Sequence, residues 1–330
     1  MSRYARQIML PGIGASGQNA LQAARVLVVG AGGLAAPVLQ YLVGAGAGQI
    51  TLGDGDEVSL SNLHRQTLFR EGDVGQMKVE AAARRLYDLN MECTISGVLE
   101  PLSPENAKQL VSQCTIALDC ADSFAASYIL SDHCLAANVP LISASVLGMA
   151  GYVGGFCGTA PSLRAVFPDL PDRAATCATA GVMGPAVGMI GAAQAQMAMA
   201  QITGQSPSPL GQMMHFDMQT YRSASFRFDG AQEPEPDFNF ISQADIAPDD
   251  FVIELRDDDE APVPVCQAAR RLNVAEFKRA ELTPDTAQRA VFACRSGLRA
   301  WQAATHLRSY WAGNISLIAM GDAPDTERQT

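Results

Sequence analysis

Short apolar runs alternate with stretches of helical periodicity over the first half of the chain. Residues 26–29, 49–52, 94–98, 115–119 and 140–144 read as strands. Residues 34–43 read as the helix after the first strand, and residues 78–89 carry apolar side chains at helical spacing, with Arg84 and Arg85 on the outer face. Further helices start near Pro104 and Ser123. Strands alternating with helices predict a Rossmann-like α/β unit, a mostly parallel sheet with helices on both faces. After Gly151 the pattern changes. Residues 152–157 and 215–227 read as antiparallel strands around a long Ala-rich helix. An acidic, proline-bearing linker over 229–250 then precedes a small second α/β unit over 251–322 and a tail, 323–330. The first unit is thus expected to cover 1–228.

Length and composition fit this division. The chain has 330 residues, 48% of them hydrophobic and only 6% aromatic, which suits two α/β units with closely packed helices. The net charge of −11 is local: residues 229–260 hold 12 acids and one base, and elsewhere acids and bases balance. No basic footprint for nucleic acid is present. Eight cysteines without a CxxC pair, and an opening stretch lacking an apolar signal core, predict a cytoplasmic protein with free thiols. Residues 174–216 carry no Asp, Glu, Lys or Arg. The centre of that run, 182–203, is long enough to span a bilayer. Gln194, Gln196, Gln201 and Pro185 favour instead a buried helix at a core or dimer interface.

The candidate chemistry begins at the end of the first strand. Gly30-Ala31-Gly32-Gly33-Leu34-Ala35 is G-x-G-x-x-A between strand and helix, where glycines admit a tight turn and backbone amides approach phosphate. Asp54 closes the second strand, where a carboxylate accepts ribose hydroxyls. NAD, FAD and ATP binders share that much. Asn62, Arg65 and Gln66 follow just beyond, Lys78 opens a helix, and Asp122 follows the strand that ends at Asp119. Strand carboxyl ends share one edge of a parallel sheet, so Arg65, Lys78 and Asp122 can converge on a triphosphate, with Asp122 holding Mg²⁺. A hydride-transfer site gains nothing from such cations. An NAD-dependent oxidoreductase and a non-catalytic scaffold for a ubiquitin-like partner are the alternatives. Singly, each residue has a plainer role: Arg65 and Lys78 as surface charges, Asp122 as a helix cap. His64, His133, His215 and His306 lack metal-like spacing.

The ordered segments RYARQI, GAGGLAAP, GDGDEVSLSNLHRQ, VGQMK, DCAD and TCATAGVMGP resemble the MoeB/ThiF/HesA family, relatives of ubiquitin-activating enzymes, over residues 3–228. The resemblance implies a homodimeric adenylyltransferase. It binds Mg-ATP and activates the C-terminal glycine of a ubiquitin-like sulfur-carrier protein of the molybdopterin or thiamine-thiazole type. It implies Asp54 on the ribose, Asn62, Arg65, Gln66 and Lys78 on the phosphates, Asp122 on Mg²⁺, and Arg6 reaching into the partner subunit's site. Three departures stand out. Ala35 replaces a usual glycine, and Ala121-Asp122-Ser123 replaces Thr-Asp-Asn. Two zinc-binding CxxC pairs of many members, which would fall near Ser162 and near the acidic linker, have no cysteines here. No zinc is expected, and packing alone is expected to hold that region.

Two cysteines are candidates for sulfur chemistry. Cys177 precedes the charge-free helix, where the family often has a cysteine. A thiol there is either reactive or a buried small hydrophobe. Cys294-Arg295-Ser296-Gly297-Leu298-Arg299 follows an apolar strand and precedes a helical run, so successive amides and two arginines favour a thiolate or persulfide. The loop resembles that of rhodanese-like domains, as Glu254-Leu255-Arg256 resembles their Asp-x-Arg. The unit is short, so a sulfurtransferase and a degenerate remnant are both open.

Overall fold

A computed structural model describes residues 3–169, 181–234, 238–280 and 282–321. The first unit is built on a sheet of eight strands, β1 (Arg25–Val29), β2 (Gln49–Gly53), β3 (Thr94–Val98), β4 (Ile116–Asp119), β5 (Pro140–Leu147), β6 (Ala150–Cys157), β7 (Gln212–Asp217) and β8 (Arg222–Arg227). They lie in the order β3-β2-β1-β4-β5-β6-β7-β8. The first five pair in parallel, and β5 to β8 continue as an antiparallel meander. Central β4 is buried at all four positions, as a strand covered on both faces must be, whereas edge strand β8 is exposed throughout.

The helices cover the sheet as their periodicity predicts. They are α1 (Ala5–Ile8), α2 (Gly14–Ala23), α3 (Ala35–Gly44), α4 (Lys78–Leu89), α5 (Pro104–Ser112), α6 (Phe124–Ala137), α7 (Leu163–Val166) and α8 (Gly184–Ile202). In α4 Val79, Ala82 and Leu86 face the core, while Arg84 and Arg85 reach out to the buried Asp73 at 2.9 and 3.1 Å. Helix α8 is the charge-free run. It packs against α3 and β5, and its buried Gln194 donates to the carbonyls of Asp119 (2.7 Å) and Ile142 (3.0 Å). Its amide thus satisfies backbone groups at the carboxyl end of β4 and within β5. Among the described residues no helix is long and apolar enough to cross a membrane.

The second unit has a five-stranded parallel sheet of β9 (Asn239–Phe240), β10 (Phe251–Glu254), β11 (Arg270–Arg271), β12 (Ala290–Cys294) and β13 (Ile315–Ala319), ordered β11-β10-β12-β13-β9. Helices α9 (Val274–Lys278) and α10 (Leu298–Arg308) accompany it. Strand β9 lies within 229–250, the segment expected as a linker. Phe238 and Phe240 are buried there in the core of the second unit, so part of that acidic segment is folded into the small sheet.

One apolar cluster joins the two units. Ala125, Tyr128 and Ile129 of α6 pack with Phe292, Trp301 and Ala304 around α10. The Tyr128 and Trp301 rings stack 5.6 Å apart, and the Arg164 guanidinium lies over Tyr128 at 4.6 Å. Arg164 is itself held by both carboxylate oxygens of Asp132, at 2.7 and 2.8 Å. Nearby, the Ser162 hydroxyl and amide donate to Glu233 at 2.5 and 2.6 Å. The expectation that packing alone holds this region is therefore corrected. Hydrogen bonds and a largely buried ion pair share the task, because the segment carries Ser162, Arg164 and Glu233 where apolar residues would otherwise be needed.

Candidate functional site

The order β2-β1-β4 places the reversal of strand order between β1 and β4, and the loops leaving their carboxyl ends flank that crevice. Gly30, after β1, has φ +92°, and a Cβ there would stand 2.7 Å from the Cys120 carbonyl oxygen beyond β4. Only glycine lets the two loops approach so closely. Gly33 is equally confined: a Cβ would stand 2.7 Å from Val187 Cγ1 and 3.3 Å from the Arg65 carbonyl oxygen. The turn containing residues 60–66 is thus seated on the glycine loop.

The polar groups expected from the sequence gather here. Asp54 Oδ2 accepts from the Ala31 amide at 2.7 Å, and Oδ1 from the Asp56 amide at 2.8 Å. Burial pushes the Asp54 carboxyl above its ordinary pKa, against Lys78 and the two amides. Lys78 Nζ lies 2.6 Å from Asp56 Oδ2 and 3.8 Å from Asp54 Oδ1, and its side chain is only 6% exposed. Arg65 donates to Asn62 Oδ1 and meets His64 Nε2, both at 2.9 Å. Gln66 is buried with its Nε2 3.7 Å from the position of a Gly32 Cβ, and its Oε1 has no hydrogen-bond partner. A buried acceptor without a donor costs roughly 1–3 kcal/mol. Together the orphaned oxygen, the cradle of close-set glycines and the clustered cations fit a polyanionic ligand rich in hydroxyl and phosphate groups.

Asp122 is exposed at the start of α6, one turn of chain beyond the buried Asp119. Asp119 accepts from Ser143 Oγ at 2.8 Å and from the Ala121 amide at 3.2 Å, which fixes the turn carrying Asp122. Burial raises the Asp119 pKa. Neither Asp119 nor Asp56 stood out in the sequence as a site residue. The spacing of Asp56 from Asp54 was the available signal, but contact with Lys78 depends on how the 56–58 segment pairs with 75–78.

Arg6 is not in this cluster. Helix α1 is pinned at the opposite edge of the sheet, where Gln7 donates to the Ala45 carbonyl (2.9 Å) and Asn90 to Tyr4 Oη (2.9 Å). Ala45 ends a helix that starts at the glycine loop, and ten residues of helix span about 15 Å. Arg6 therefore does not reach the chain's own cluster. Cys177 lies outside the described residues.

Cys294 occupies the corresponding place in the second sheet, at the carboxyl end of β12 beside β10. Its thiol accepts from the Ala300 amide at 3.3 Å. Burial pushes the thiol pKa up, against that amide and Arg299. Arg299 is engaged elsewhere, with the Leu255 carbonyl (2.9 Å) and Glu260 (2.7 Å). Glu254 is completely buried and paired with Arg256 at 2.7 Å. The cysteine loop is covered: a Cβ at Gly297 would lie 2.9 Å from Phe240 and 3.3 Å from Ala125 of α6. Gly297 meets Ala125 and Trp301 meets Tyr128, so the first turns of α6 and α10 lie side by side. The turn of Asp122 leads into the first of these helices and the loop of Cys294 into the second. At neutral pH alkylation by iodoacetamide, followed by peptide mass mapping, is expected to label the half-exposed Cys266 at least tenfold faster than the buried Cys294.

Comparison with known proteins agrees with this architecture. Residues 4–237 match the pattern of the ThiF family. Over 286 residues the chain is 34% identical to the adenylyltransferase and sulfurtransferase MOCS3 of Drosophila ananassae, covering 84% of this chain and 63% of that protein. The molybdopterin-synthase adenylyltransferase of Salmonella typhimurium is 41% identical over 222 residues, 67% of this chain and 89% of its own length. A crystal structure of E. coli MccB aligns with TM-score 0.62 at 24% identity, covering 69% of this chain and 70% of that one, and shares the fold. The chain spans less than two thirds of the length of the MOCS3 protein it matches. On the match over residues 4–237, this chain belongs to the ThiF family.

Proposed function

We propose that the chain uses ATP to adenylylate the C-terminal glycine of a ubiquitin-like sulfur-carrier protein, for sulfur transfer in cofactor biosynthesis. The observation that carries this reading is the gathering of Asp54, Asn62, Arg65, Gln66 and Lys78 on one glycine loop at the carboxyl edge of β1. The names of its relatives favour a molybdopterin-type carrier. Asp54 receives the ribose hydroxyls, and the loop amides receive phosphate oxygens. Asp122 holds Mg²⁺, which supplies charge neutralisation on the phosphates when bound.

The carrier's carboxylate is the nucleophile. A free α-carboxyl has a pKa of about 3.5, so it is ionised at neutral pH and needs no general base. It forms a bond to the α-phosphorus of ATP as the bond to pyrophosphate breaks. Arg65 and Lys78 offset the repulsion between carboxylate and phosphates, most strongly as charge builds on the leaving pyrophosphate. Arg6, at the far edge of its own sheet, serves the site of a second subunit in a homodimer. Cys294, once it carries a persulfide received from an external sulfane-sulfur donor, attacks the acyl-adenylate carbonyl through the terminal sulfur and releases AMP. The cover of Phe240 and Ala125 over its loop opens for that step. A second thiol then displaces the resulting acyl disulfide, forming a disulfide with Cys294 and freeing the carrier's thiocarboxylate. We place the protein in the cytoplasm, a reading supported by unpaired cysteines such as Cys114, Cys134 and Cys157.

Incubation with candidate carriers, ATP and Mg²⁺ tests the proposal. Mass spectrometry is expected to show a carrier species heavier by one adenylyl group, lost when the carrier's last glycine is removed. If no carrier gains that mass while ATP is bound, the activation step is excluded.

A further inference from the structure

We propose that Asp56 is a positioning residue for Lys78, a stand-in anion that occupies the lysine until a triphosphate displaces it. This rests on the nucleotide site proposed above. The Asp56 carboxylate is 72% exposed, yet it holds Lys78 Nζ at 2.6 Å, and that lysine side chain is 6% exposed. An ammonium so deeply buried requires a counter-charge. Asp54 fills that role only in part: it lies farther off, 3.8 Å from Nζ, and its two oxygens also accept from the amides of Ala31 and Asp56.

The backbone fixes this pairing. Lys78 N donates to the Asp56 carbonyl (2.9 Å), Val58 N to Gln76 (2.8 Å) and Gly75 N to Val58 (2.9 Å). The Asp56 main chain is therefore tied to the start of α4, and only its side chain is free to turn into solvent. The ion pair stabilises the empty chain and is lost when phosphate takes the lysine. A contact present only in the empty state weakens binding by its own worth.

Asp56→Asn tests this with two readings that a merely structural residue would not move in opposite directions. The melting temperature of the empty full-length chain is expected to fall. The affinity for Mg-ATP by calorimetry is expected to rise about three- to tenfold, the scale of one partly exposed ion pair. Adenosine, which carries no phosphate, should bind with unchanged affinity. In a Lys78→Gln background the melting-temperature loss from Asp56→Asn should vanish, because the two changes remove one interaction. Mg-ATP binding that is unchanged or weaker in Asp56→Asn, or an equal gain for adenosine, overturns the inference. A wild-type chain that binds no Mg-ATP overturns the nucleotide reading itself, so the two failures are separable.

Discussion

Replacing Lys78 with alanine is expected to slow carrier-dependent ATP–pyrophosphate exchange by about 10²–10³-fold, the loss that follows removal of one preorganised transition-state donor. The ammonium stands at the first residue of α4, beside Asp54 and on the crevice edge of the sheet. Its low exposure gives it leverage, since a charge shielded from water acts through a lower dielectric than a surface lysine. The substitution also removes the ion pair with Asp56. The effect should fall on the rate at saturating ATP and, because the lysine also meets the phosphates of bound ATP, on the affinity for Mg-ATP. An exchange rate equal to that of the wild type rules out this role for Lys78.

The second large effect is on stability. Glu254→Ala is expected to destabilise the second unit by about 3–5 kcal/mol, because it leaves the guanidinium of Arg256 without its buried partner. Glu254 is completely shielded, accepts from Arg256 Nε (2.8 Å) and Nη2 (2.7 Å), and also accepts the Val265 amide at 2.9 Å. Burial works against its ionised form. The hydrogen bonds from Arg256 and Val265 outweigh that penalty, and the carboxyl sits below its usual range. The sign of the pH dependence follows. A lowered folded pKa contributes stability that is present above the unfolded value and is lost as pH falls through the folded one. The gap between wild type and Glu254→Ala should therefore narrow in acid below the ordinary glutamate pKa of about 4.3. Both tryptophans of the chain, Trp301 and Trp311, lie in this unit, so urea unfolding followed by tryptophan fluorescence reports on it directly. Coincident wild-type and variant curves at pH 7 would remove the pair from the stability of this unit.

Much of the first unit was legible in the sequence because its local signals agree. Helical spacing from Lys78 to Leu89 gave the bounds of α4, and β-branched runs between glycine turns gave β1, β2 and β3. Residues 215–227, read as strand, divide into β7 and β8, because Asp217 accepts the Gln219 amide at 2.9 Å and turns the chain. The acidic segment hid β9, since two buried phenylalanines among many carboxylates give no period, and the strand exists only by pairing with β13. At the nucleotide crevice residue types were readable and partners were not. Asp56 and Asp119 differ from other acids only in what faces them. Likewise the loop amides and two arginines around Cys294 suggested an electropositive loop. In the folded chain Phe240 and Ala125 cover that loop, and Arg299 turns to Glu260.

The most direct measurement is a structure of the full chain with magnesium and a non-hydrolysable ATP analogue. The triphosphate should lie along the carboxyl edge of β1 and β4, with Lys78 moved from Asp56 to phosphate, Ala31 N released from Asp54, and Asp54 on the ribose. An analogue bound elsewhere, or bound there while Lys78 keeps Asp56 and Arg65 points away, would contradict the assignment of this crevice to nucleotide activation.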